Sequence, residues 1–275
     1  MAALDPKALA PELIDAYARR RTDVTAPTSR DGAFTLADAY DVEAELLRRR
    51  RAGGRTAVGR KVGFANKALW RVLKLDTLVW AHMYDDTVQY APANVASLSM
   101  ARLCAPKIEP EIVFKLKAPL RAIAADPAAA LEAVEWLALG FEIIDCVYDG
   151  WTFQPPDFVA SFGLHAALLV GTPQPVDAEG IPTLVDRLPQ FKVQLQKDGQ
   201  TVAEGSGRNS LRSPALCLAE LASAIARQPG AEPLAAGELI SSGTLTASAP
   251  ISAGEMWTAV VDGLDLPALT LRVEA

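Results

Sequence analysis

Apolar residues recur every three or four positions within the first fifty residues. This spacing places them on one face of a helix. One predicted helix begins at Pro6, because proline suits the first helical turn. A second begins at Thr35, whose hydroxyl can cap a helix, and ends at Gly53 and Gly54. We therefore predict an N-terminal helical segment over residues 1–54.

Beyond residue 54 the pattern changes to short apolar runs separated by Gly, Pro and Asp, which predict β-strands. Asp198 and Gly199 predict a tight hairpin between two of these strands, because both residue types tolerate a positive φ. Helices interrupt the strands irregularly, so residues 55–275 are expected to form an α+β domain around a rolled, mixed sheet. The predicted strands are 57–64, 107–116, 139–148, 167–170, 191–197, 201–204, 239–246, 257–261 and 269–273, and the predicted helices are 66–73, 127–138 and 213–226.

The charge balance limits the partners that the protein can have. The 275 residues include 33 acidic and 27 basic side chains, for a net charge of −6. This balance gives no general attraction for nucleic acid or for an anionic membrane. No apolar run approaches the roughly 20 residues of a membrane-spanning helix, and the N-terminus lacks the apolar stretch of a signal peptide. We expect no nucleic-acid partner and no membrane partner.

Cysteine and histidine are rare in this chain. The three cysteines, Cys104, Cys146 and Cys217, lie far apart and form no CxxC pair. An odd number at such spacing predicts reduced, buried thiols and a cytoplasmic protein. Only two histidines are present, which excludes a zinc site built from several histidines.

Two glutamates, Glu109 and Glu111, occur two positions apart in a predicted strand, separated only by Pro110. Residues two apart in a strand point to the same face. The two carboxylates would therefore repel each other unless a cation lay between them. The alternative is an exposed edge strand, which Pro110 would suit because proline cannot donate to a sheet.

A third glutamate, Glu142, occurs in an apolar run that predicts a buried strand. A buried carboxylate is costly unless it is paired, protonated or bound to a metal ion. The alternative to a metal is a salt bridge to an arginine elsewhere in the chain. Together with Glu109 and Glu111 it forms a candidate three-carboxylate site, and an all-oxygen ligand set suits Mg²⁺ or Mn²⁺.

Two cations, Arg60 and Lys61, lie between Gly59 and Gly63 in a short predicted strand. Glycine allows a ligand or a second backbone to approach closely. The two side chains point to opposite faces, so only one of them is expected to face a site. A lysine there can donate a proton or hold a carboxylate or an enolate. The alternative is that both are surface charges on an edge strand.

Two further residues are candidates for proton transfer. Asp85 follows an apolar run and could act as a general base or only cap a turn. His165 lies just before another apolar run and could be catalytic or a hydrogen-bonded core residue. Residue type alone leaves both alternatives open.

The chain resembles the fumarylacetoacetate hydrolase superfamily, and within it the branch of 2-keto-4-pentenoate hydratases and 4-oxalocrotonate decarboxylases. The most specific part of this resemblance is the Glu-x-Glu pair followed by a third acidic residue in a later strand. The resemblance runs in the family's order over residues 55–275, and the N-terminal helices are also typical of the branch. The matching blocks are 59–64, 66–68, 85–86, 108–114, 141–145 and 234–243.

The resemblance implies a mixed, fumarylacetoacetase-like β-roll and homo-oligomeric assembly. It also implies a site: Glu109, Glu111 and Glu142 would hold one Mg²⁺ or Mn²⁺, Lys61 would lie beside the substrate, and Asp85 would lie near the reacting carbons. Many hydratases have an Asp-Asn-Ala-Ser-like stretch where this chain has residues 161–165. The polar group that handles water or the leaving group is therefore changed.

We expect a lyase of aromatic catabolism that adds water to a 2-hydroxy-2,4-dienoate, with a small 2-oxo acid as substrate. Two other reactions are open: decarboxylation of an oxalocrotonate-type diacid, and C–C hydrolysis of an acylpyruvate with His165 as the base. The non-enzymatic alternative is an inactive partner subunit of a related decarboxylase. The intact glutamate set argues against this last alternative, because a scaffold does not need a costly carboxylate cluster.

Overall fold

The structure is a computed structural model that describes residues 4–122 and 125–275. Within these ranges the chain forms eight α-helices and fourteen β-strands. The helices are α1 (Pro6–Ala18), α2 (Pro27–Arg30), α3 (Leu36–Ala52), α4 (Trp70–Leu73), α5 (Pro127–Glu132), α6 (Pro155–Ala160), α7 (Ile181–Arg187) and α8 (Pro214–Arg227). The strands are β1 (Ala57–Gly63), β2 (Val79–Tyr84), β3 (Val88–Tyr90), β4 (Val95–Ser99), β5 (Lys107–Leu116), β6 (Val134–Ile144), β7 (His165–Val170), β8 (Gln174–Pro175), β9 (Lys192–Lys197), β10 (Gln200–Ser206), β11 (Leu239–Ser241), β12 (Ala249–Pro250), β13 (Met256–Asp262) and β14 (Leu269–Glu274).

The strands form two mixed sheets. The larger sheet has the order β2-β1-β11-β5-β6-β7-β3, with β12 beside β5 and β8 beside β6. In it, β1 runs parallel to β11 and β3 runs parallel to β7. The smaller sheet has the order β10-β9-β13-β14-β4, and β14 runs parallel to β4. This arrangement of curled, mixed sheets with helices confirms the predicted α+β roll.

Helix α3 of the N-terminal segment packs directly on the larger sheet. Thr35 and Asp38 form a capping box at the start of α3, as the sequence predicts for Thr35. Glu43 of α3 is buried and hydrogen-bonds the backbone N–H and the ring Nδ1 of His82 in β2. Helix α3 therefore covers one face of β2. In the described ranges, no helix is long and apolar enough to cross a membrane.

The predicted helix over 127–138 is too long, because α5 ends at Glu132 and the chain continues as β6 from Val134. The Ala- and Leu-rich sequence of this stretch suits a helix locally. In the fold it pairs with β5 along its length, and sheet pairing outweighs that local propensity. The predicted strand over 139–148 correspondingly starts earlier and ends at Ile144.

Pro110 lies in a central strand, so the edge-strand interpretation of Glu109 and Glu111 is wrong. Strand β5 pairs with β6 on one side. On its other side, β11 pairs with residues 113–115 and β12 pairs with residues 107–108. Pro110 falls in the gap between these two partners, where its missing N–H interrupts no regular ladder. In the same gap the chain leaves the sheet after Ser241, earlier than the predicted end at 246.

Candidate active site

The three predicted glutamates lie together on neighbouring strands of the larger sheet. Glu109 of β5 is directly opposite Glu142 of β6, and Glu111 is opposite Gly140 on the same face. One carboxylate oxygen from each glutamate lies within 4.8 Å of the other two. Glu111 and Glu142 are fully buried, whereas Glu109 is half-buried. The pairing register of β5 and β6 therefore builds the predicted three-carboxylate cluster.

The Glu111 carboxylate is hydrogen-bonded through only one of its two oxygens among the described residues. Its Oε2 accepts hydrogen bonds from Ser241 Oγ at 2.5 Å and from the Gly243 N–H at 2.7 Å. Gly243 has a φ of +92°, which favours glycine, and a Cβ there would meet Ala65 at 2.7 Å. The other oxygen, Oε1, is buried and has no hydrogen-bond partner among the described residues.

An unpartnered buried carboxylate oxygen is costly, and each one in a native protein needs an explanation. The oxygen of Glu111 shares its space with the carboxylates of Glu109 and Glu142. A hard divalent cation prefers such an all-oxygen set. The residues present therefore fit a Mg²⁺ or Mn²⁺ ion at this position.

Glu142 is bound by two side chains besides its place in the cluster. Lys61 Nζ lies 3.0 Å from its Oε2, and His165 Nδ1 lies 2.9 Å from its Oε1. The Lys61 and Glu142 side chains are 1% and 0% exposed. The sequence left a metal and a salt bridge to an arginine as alternatives; the structure has a salt bridge within the cluster, and its cation is a lysine.

The cluster shifts the pKa values of its members in different directions. Burial raises the pKa of Glu109 to about 7, with Lys61 opposing and Glu142 reinforcing the shift. Burial and the charges of Glu142 and Glu109 raise the pKa of Glu111 well above its usual range. Burial also tends to raise the pKa of Glu142, but the charge of Lys61 and the hydrogen bond from His165 have a larger effect, so the pKa of Glu142 is lowered. Without a cation, this site favours protons on Glu109 and Glu111.

His165 is a hydrogen-bonded neighbour of the cluster. Its Nδ1 contacts Glu142 and its Nε2 lies 2.9 Å from Thr87 Oγ1, so both ring nitrogens are occupied. A histidine bonded in this way fixes the orientation of a metal-binding carboxylate. Thr87 carried no sequence signal, because it meets His165 only through the parallel pairing of β3 with β7.

Asp85 lies apart from the cluster. It is exposed after the end of β2, and its carboxylate accepts a hydrogen bond from the Thr56 N–H at 3.3 Å. Lys61 is opposite Ala81, well inside β2. The structure thus brings Lys61, His165 and the three glutamates together and does not bring Asp85 to them.

A cavity of about 550 Å³ opens beside Lys61 and Glu109. Its charged lining side chains are these two and Lys107. Much of the remaining wall is aromatic, and neighbouring ring centroids are 5.2 to 6.4 Å apart. Sequence reasoning missed this wall, because its members lie in separate loops with no common spacing. The aromatic lining residues are Phe64, Trp151, Phe153 and Phe158.

Three of the residues that line the cavity have an unusual backbone. Phe64, Trp151 and Leu164 have φ values of +56°, +59° and +55°. This left-handed conformation is uncommon for bulky side chains and tends to cluster at functional sites. Left-handed backbone therefore occurs at several points along the wall of this cavity.

The curled roll, the carboxylate cluster and the buried lysine together define a divalent-metal enzyme site. The chain is 31% identical over 239 residues to a 2-hydroxyhexa-2,4-dienoate hydratase of Comamonas testosteroni, covering 86% of each protein. It is 29% identical over 242 residues to a 4-oxalocrotonate decarboxylase of Pseudomonas sp. (strain CF600), covering 88% of each. The chain belongs to the 2-keto-4-pentenoate hydratase and 4-oxalocrotonate decarboxylase branch of the fumarylacetoacetate hydrolase superfamily.

Solved structures agree with this assignment. A 4-oxalocrotonate decarboxylase from Pseudomonas putida G7, complexed with magnesium and adipate, matches with a TM-score of 0.86 and 27% identity over 98% of this chain and 97% of that one. A fumarylpyruvate hydrolase from Pseudomonas aeruginosa, in complex with Mn²⁺ and pyruvate, shares the fold with a TM-score of 0.58 and 18% identity, over 79% of this chain and 89% of that one. No family model matches the chain.

Proposed function

We propose that this protein is a divalent-metal-dependent lyase that adds water to a 2-hydroxy-2,4-dienoate. The observation that carries the proposal is the buried cluster of Glu109, Glu111 and Glu142, paired with Lys61 at the wall of an aromatic cavity. The 31% identity to two dienoate hydratases, from Comamonas testosteroni and Pseudomonas putida, supports hydration as the reaction.

Glu109, Glu111 and Glu142 would hold Mg²⁺ or Mn²⁺. When bound, the ion supplies Lewis acidity toward the carboxylate and 2-oxygen of the substrate. Both ions occur in structures with the same fold, one with magnesium and one with Mn²⁺. The glutamates would hold the ion on the paired strands β5 and β6, which would give the reacting end of the substrate a defined position.

Lys61 is the residue that we assign to proton transfer. Its Nζ is 3.0 Å from Glu142 and 4.9 Å from the centre of the Phe158 ring, and the side chain lines the cavity. The dienol gives its 2-hydroxyl proton to water while Lys61 protonates carbon 5, which yields an α,β-unsaturated 2-oxo acid. The neutral lysine then takes up a proton from solvent. A positioned acid of this kind contributes about 10²- to 10⁴-fold.

Water then adds its oxygen to carbon 4 and a proton to carbon 3. Asp85 and His165 were the candidate bases for this step. Neither residue lines the cavity. Asp85 is exposed at another place on the surface, and His165 is hydrogen-bonded through both ring nitrogens. We therefore assign His165 to holding Glu142, and the aromatic wall to limiting how much water reaches the dienoate.

The test is incubation of the Mg²⁺- or Mn²⁺-loaded protein with a panel of 2-hydroxydienoates, with the products read by mass spectrometry. Gain of one water supports the proposal. Loss of carbon dioxide identifies a decarboxylase, and two fragments identify a hydrolase. The Glu111→Gln variant serves as the inactive control, and failure of the wild type to consume any dienoate with either metal would refute the proposal.

Decarboxylation of an oxalocrotonate-type diacid is the second candidate. The match to a decarboxylase structure over 98% of the chain favours it, as does the lysine at position 107 in the cavity, which could bind a second carboxylate. Hydrolysis of an acylpyruvate gains no support, because it relied on His165 as a free base.

We also propose that the protein is a cytoplasmic homo-oligomer. The three cysteines are free, which suits a reducing compartment. Large apolar side chains are exposed, notably Val72 at 78% and Val202 at 51%, and an interface would remove them from water. Light scattering of the purified protein tests the assembly, and a monomer at micromolar concentration would contradict it.

A further inference from the structure

Three consecutive residues beside the active site have left-handed backbone. Phe162, Gly163 and Leu164 have φ values of +55°, +60° and +55°. Glycine adopts this conformation freely, but bulky side chains do so only where the surrounding structure holds them there. This left-handed turn, residues 162–164, directly precedes β7, and Gly163 and Leu164 are buried. The contacts of the turn therefore decide where it lies.

The left-handed turn packs against the side chain of Lys61. A Cβ on Gly163 would lie 2.7 Å from Lys61 Cδ and 2.9 Å from the Cβ of Ala81. The bare glycine backbone thus packs closely on the aliphatic part of the lysine. Any shift of the turn changes the space that is available to Lys61, whose Nζ lies 3.0 Å from Glu142 Oε2.

Tyr17 of helix α1 connects this turn to the strand of Glu142. Its hydroxyl lies 3.0 Å from Ser161 Oγ, just before the turn, and donates a hydrogen bond to the Asp145 carbonyl at 3.0 Å. Asp145 directly follows β6, the strand that contains Glu142. The Tyr17 ring also packs edge-on against Phe162, with the ring centroids 6.1 Å apart. One side chain of the N-terminal segment thus contacts both structures.

Two backbone hydrogen bonds complete this ring of contacts. The Leu164 N–H donates to the Ser161 carbonyl, and the Asp145 N–H donates to the Leu164 carbonyl, both at 2.8 Å. Ser161, Leu164 and Asp145 are at most 1% exposed. Because solvent does not reach these groups, loss of the Tyr17 hydroxyl would leave buried polar atoms without one of their partners.

We infer that Tyr17 is a positioning residue for proton transfer: it fixes the left-handed turn, and the turn holds Lys61 in place. A displacement of about 1 Å at a reacting group can reduce the rate by about 100-fold. The N-terminal helical segment therefore supports catalysis, in addition to covering the larger sheet. This inference rests on the proposed function, because that proposal makes Lys61 the acid.

The kinetics of dienoate hydration at saturating Mg²⁺ test the inference. Tyr17→Phe keeps the ring and removes the hydroxyl. The variant should lose about 10-fold in kcat and change KM by less than about twofold, because a displaced acid slows the reaction without weakening substrate binding. Ser161→Ala should show the same separation of kcat from KM. The double variant should lose no more than either single variant, because both changes remove one shared contact.

Tyr40→Phe is the matched control. Tyr40 also belongs to the N-terminal segment and is buried, and its hydroxyl accepts a hydrogen bond from the Trp80 N–H at 3.3 Å. Its ring packs on that of Trp80, whose side chain points away from the face of β2 that Ala81 presents to Lys61. This variant should keep the wild-type kcat and KM. An equal loss of kcat in Tyr40→Phe and Tyr17→Phe would show a general loosening of the segment and would overturn the inference.

A spectroscopic measurement separates the inference from the proposed function. Lys61 Nζ lies 4.9 Å from the centre of the Phe158 ring, so the ring current shifts the resonance of the Lys61 ε-methylene group. Protein with ¹³C-labelled lysine shows this signal, and its loss in Lys61→Met identifies it. Tyr17→Phe and Gly163→Ala should displace the signal, whereas Tyr40→Phe should not. An unmoved signal in both variants would overturn the inference, whatever the activity of the enzyme.

The two measurements together distinguish the possible failures. A displaced signal in a protein that hydrates no dienoate would refute the proposed function and support the contact from Tyr17 to Lys61. A displaced signal with wild-type kcat in Tyr17→Phe would overturn the role of Tyr17 in proton transfer. A Tyr17→Phe defect that appears at low Mg²⁺ and disappears at saturating Mg²⁺ would assign the effect to His165 and the metal cluster, and would also overturn the inference.

Discussion

The Lys61 ammonium lies 3.0 Å from Glu142 Oε2, and neither side chain is more than 1% exposed. This ion pair is part of the carboxylate cluster, because Glu142 is also directly opposite Glu109. Glu142 thus balances the charge of Lys61, the lysine that we propose as the acid, and also belongs to the carboxylate cluster that could hold a metal ion.

Glu142→Gln should destabilise the metal-free protein. The change leaves the Lys61 ammonium buried opposite a neutral amide, and breaking a buried pair in this way costs about 3–5 kcal/mol. Relief of repulsion within the cluster is smaller, because the pKa values of Glu109 and Glu111 are raised and their negative charge is reduced when no cation is present. The measurement is the free energy of unfolding from urea titration in EDTA.

The double variant Lys61→Met/Glu142→Gln is the control for this effect. Removing the unpaired ammonium should recover part of the stability that Glu142→Gln loses, since the two residues interact directly. A metal-free Glu142→Gln protein that is more stable than the wild type would show that carboxylate repulsion outweighs the ion pair.

Glu111→Gln should weaken Mg²⁺ binding by at least about 100-fold. Loss of a residue that only hydrogen-bonds to a metal ligand weakens binding by about 10- to 100-fold, and loss of a ligand itself should cost more. Glutamine can still accept the hydrogen bonds from Ser241 and Gly243, so the fold around the site should persist. At a hundred times its Kd, Mg²⁺ stabilises the wild type by about 2.7 kcal/mol. The variant should show little of this gain.

Calorimetry measures the affinity in this second experiment, and a melting curve measures the stabilisation. Glu132→Gln, a change of an exposed glutamate in α5, controls for the lost charge. Unchanged Mg²⁺ affinity in Glu111→Gln would remove Glu111 from the ligand set.

The metal-free protein should lose stability as the pH rises from about 5 to about 8. The pKa of Glu109 is raised to about 7 in the folded state, and that of Glu111 is raised further. A raised pKa favours folding at low pH, and this contribution is lost as the pH passes through the folded-state pKa. Glu142 has a lowered pKa, so its own contribution is lost only below the ordinary glutamate range.

Thermal melts in EDTA and in excess Mg²⁺ check this pH dependence. Because Mg²⁺ favours ionised carboxylates, it should remove the decline or reverse it. A metal-free melting temperature that does not fall over this interval would mean that the carboxylates ionise without penalty and that the cluster is more hydrated than the structure indicates.

Lys61→Met and His165→Asn should differ in their effect on the first proton transfer. Lys61→Met should reduce exchange of substrate carbon-bound protons with solvent deuterium by about 100-fold or more, because it removes the acid. His165→Asn should weaken metal binding by about 10- to 100-fold, because it loosens Glu142, and saturating Mg²⁺ should restore exchange.

Thr87→Val removes the other hydrogen-bond partner of His165 and should show a smaller version of the His165→Asn effect. Exchange followed by nuclear magnetic resonance gives the rates. If His165→Asn stopped exchange even at saturating metal, His165 would be catalytic and not a positioning residue. Wild-type exchange in Lys61→Met would remove the acid from the mechanism.

The sequence alone determined the local structure of β5, the strand that contains Glu109 and Glu111. The apolar run with alternating glutamates predicted β5 over 107–116, which is its range in the structure. A period of two then placed Glu109 and Glu111 on one face, because successive side chains of a strand point in opposite directions. The hairpin at Asp198 and Gly199 was predictable for a similar local reason, and both residues have positive φ.

The partners of those residues were decided only by the tertiary structure. Glu142 faces Glu109 because β6 pairs with β5 in one register, and a shift by one residue would turn Glu142 to the other face. Ser241 reaches Glu111 across 130 positions of sequence, and Thr87 reaches His165 across 78. Such contacts depend on the packing of whole strands, so the local spacing of residues in the sequence cannot predict them.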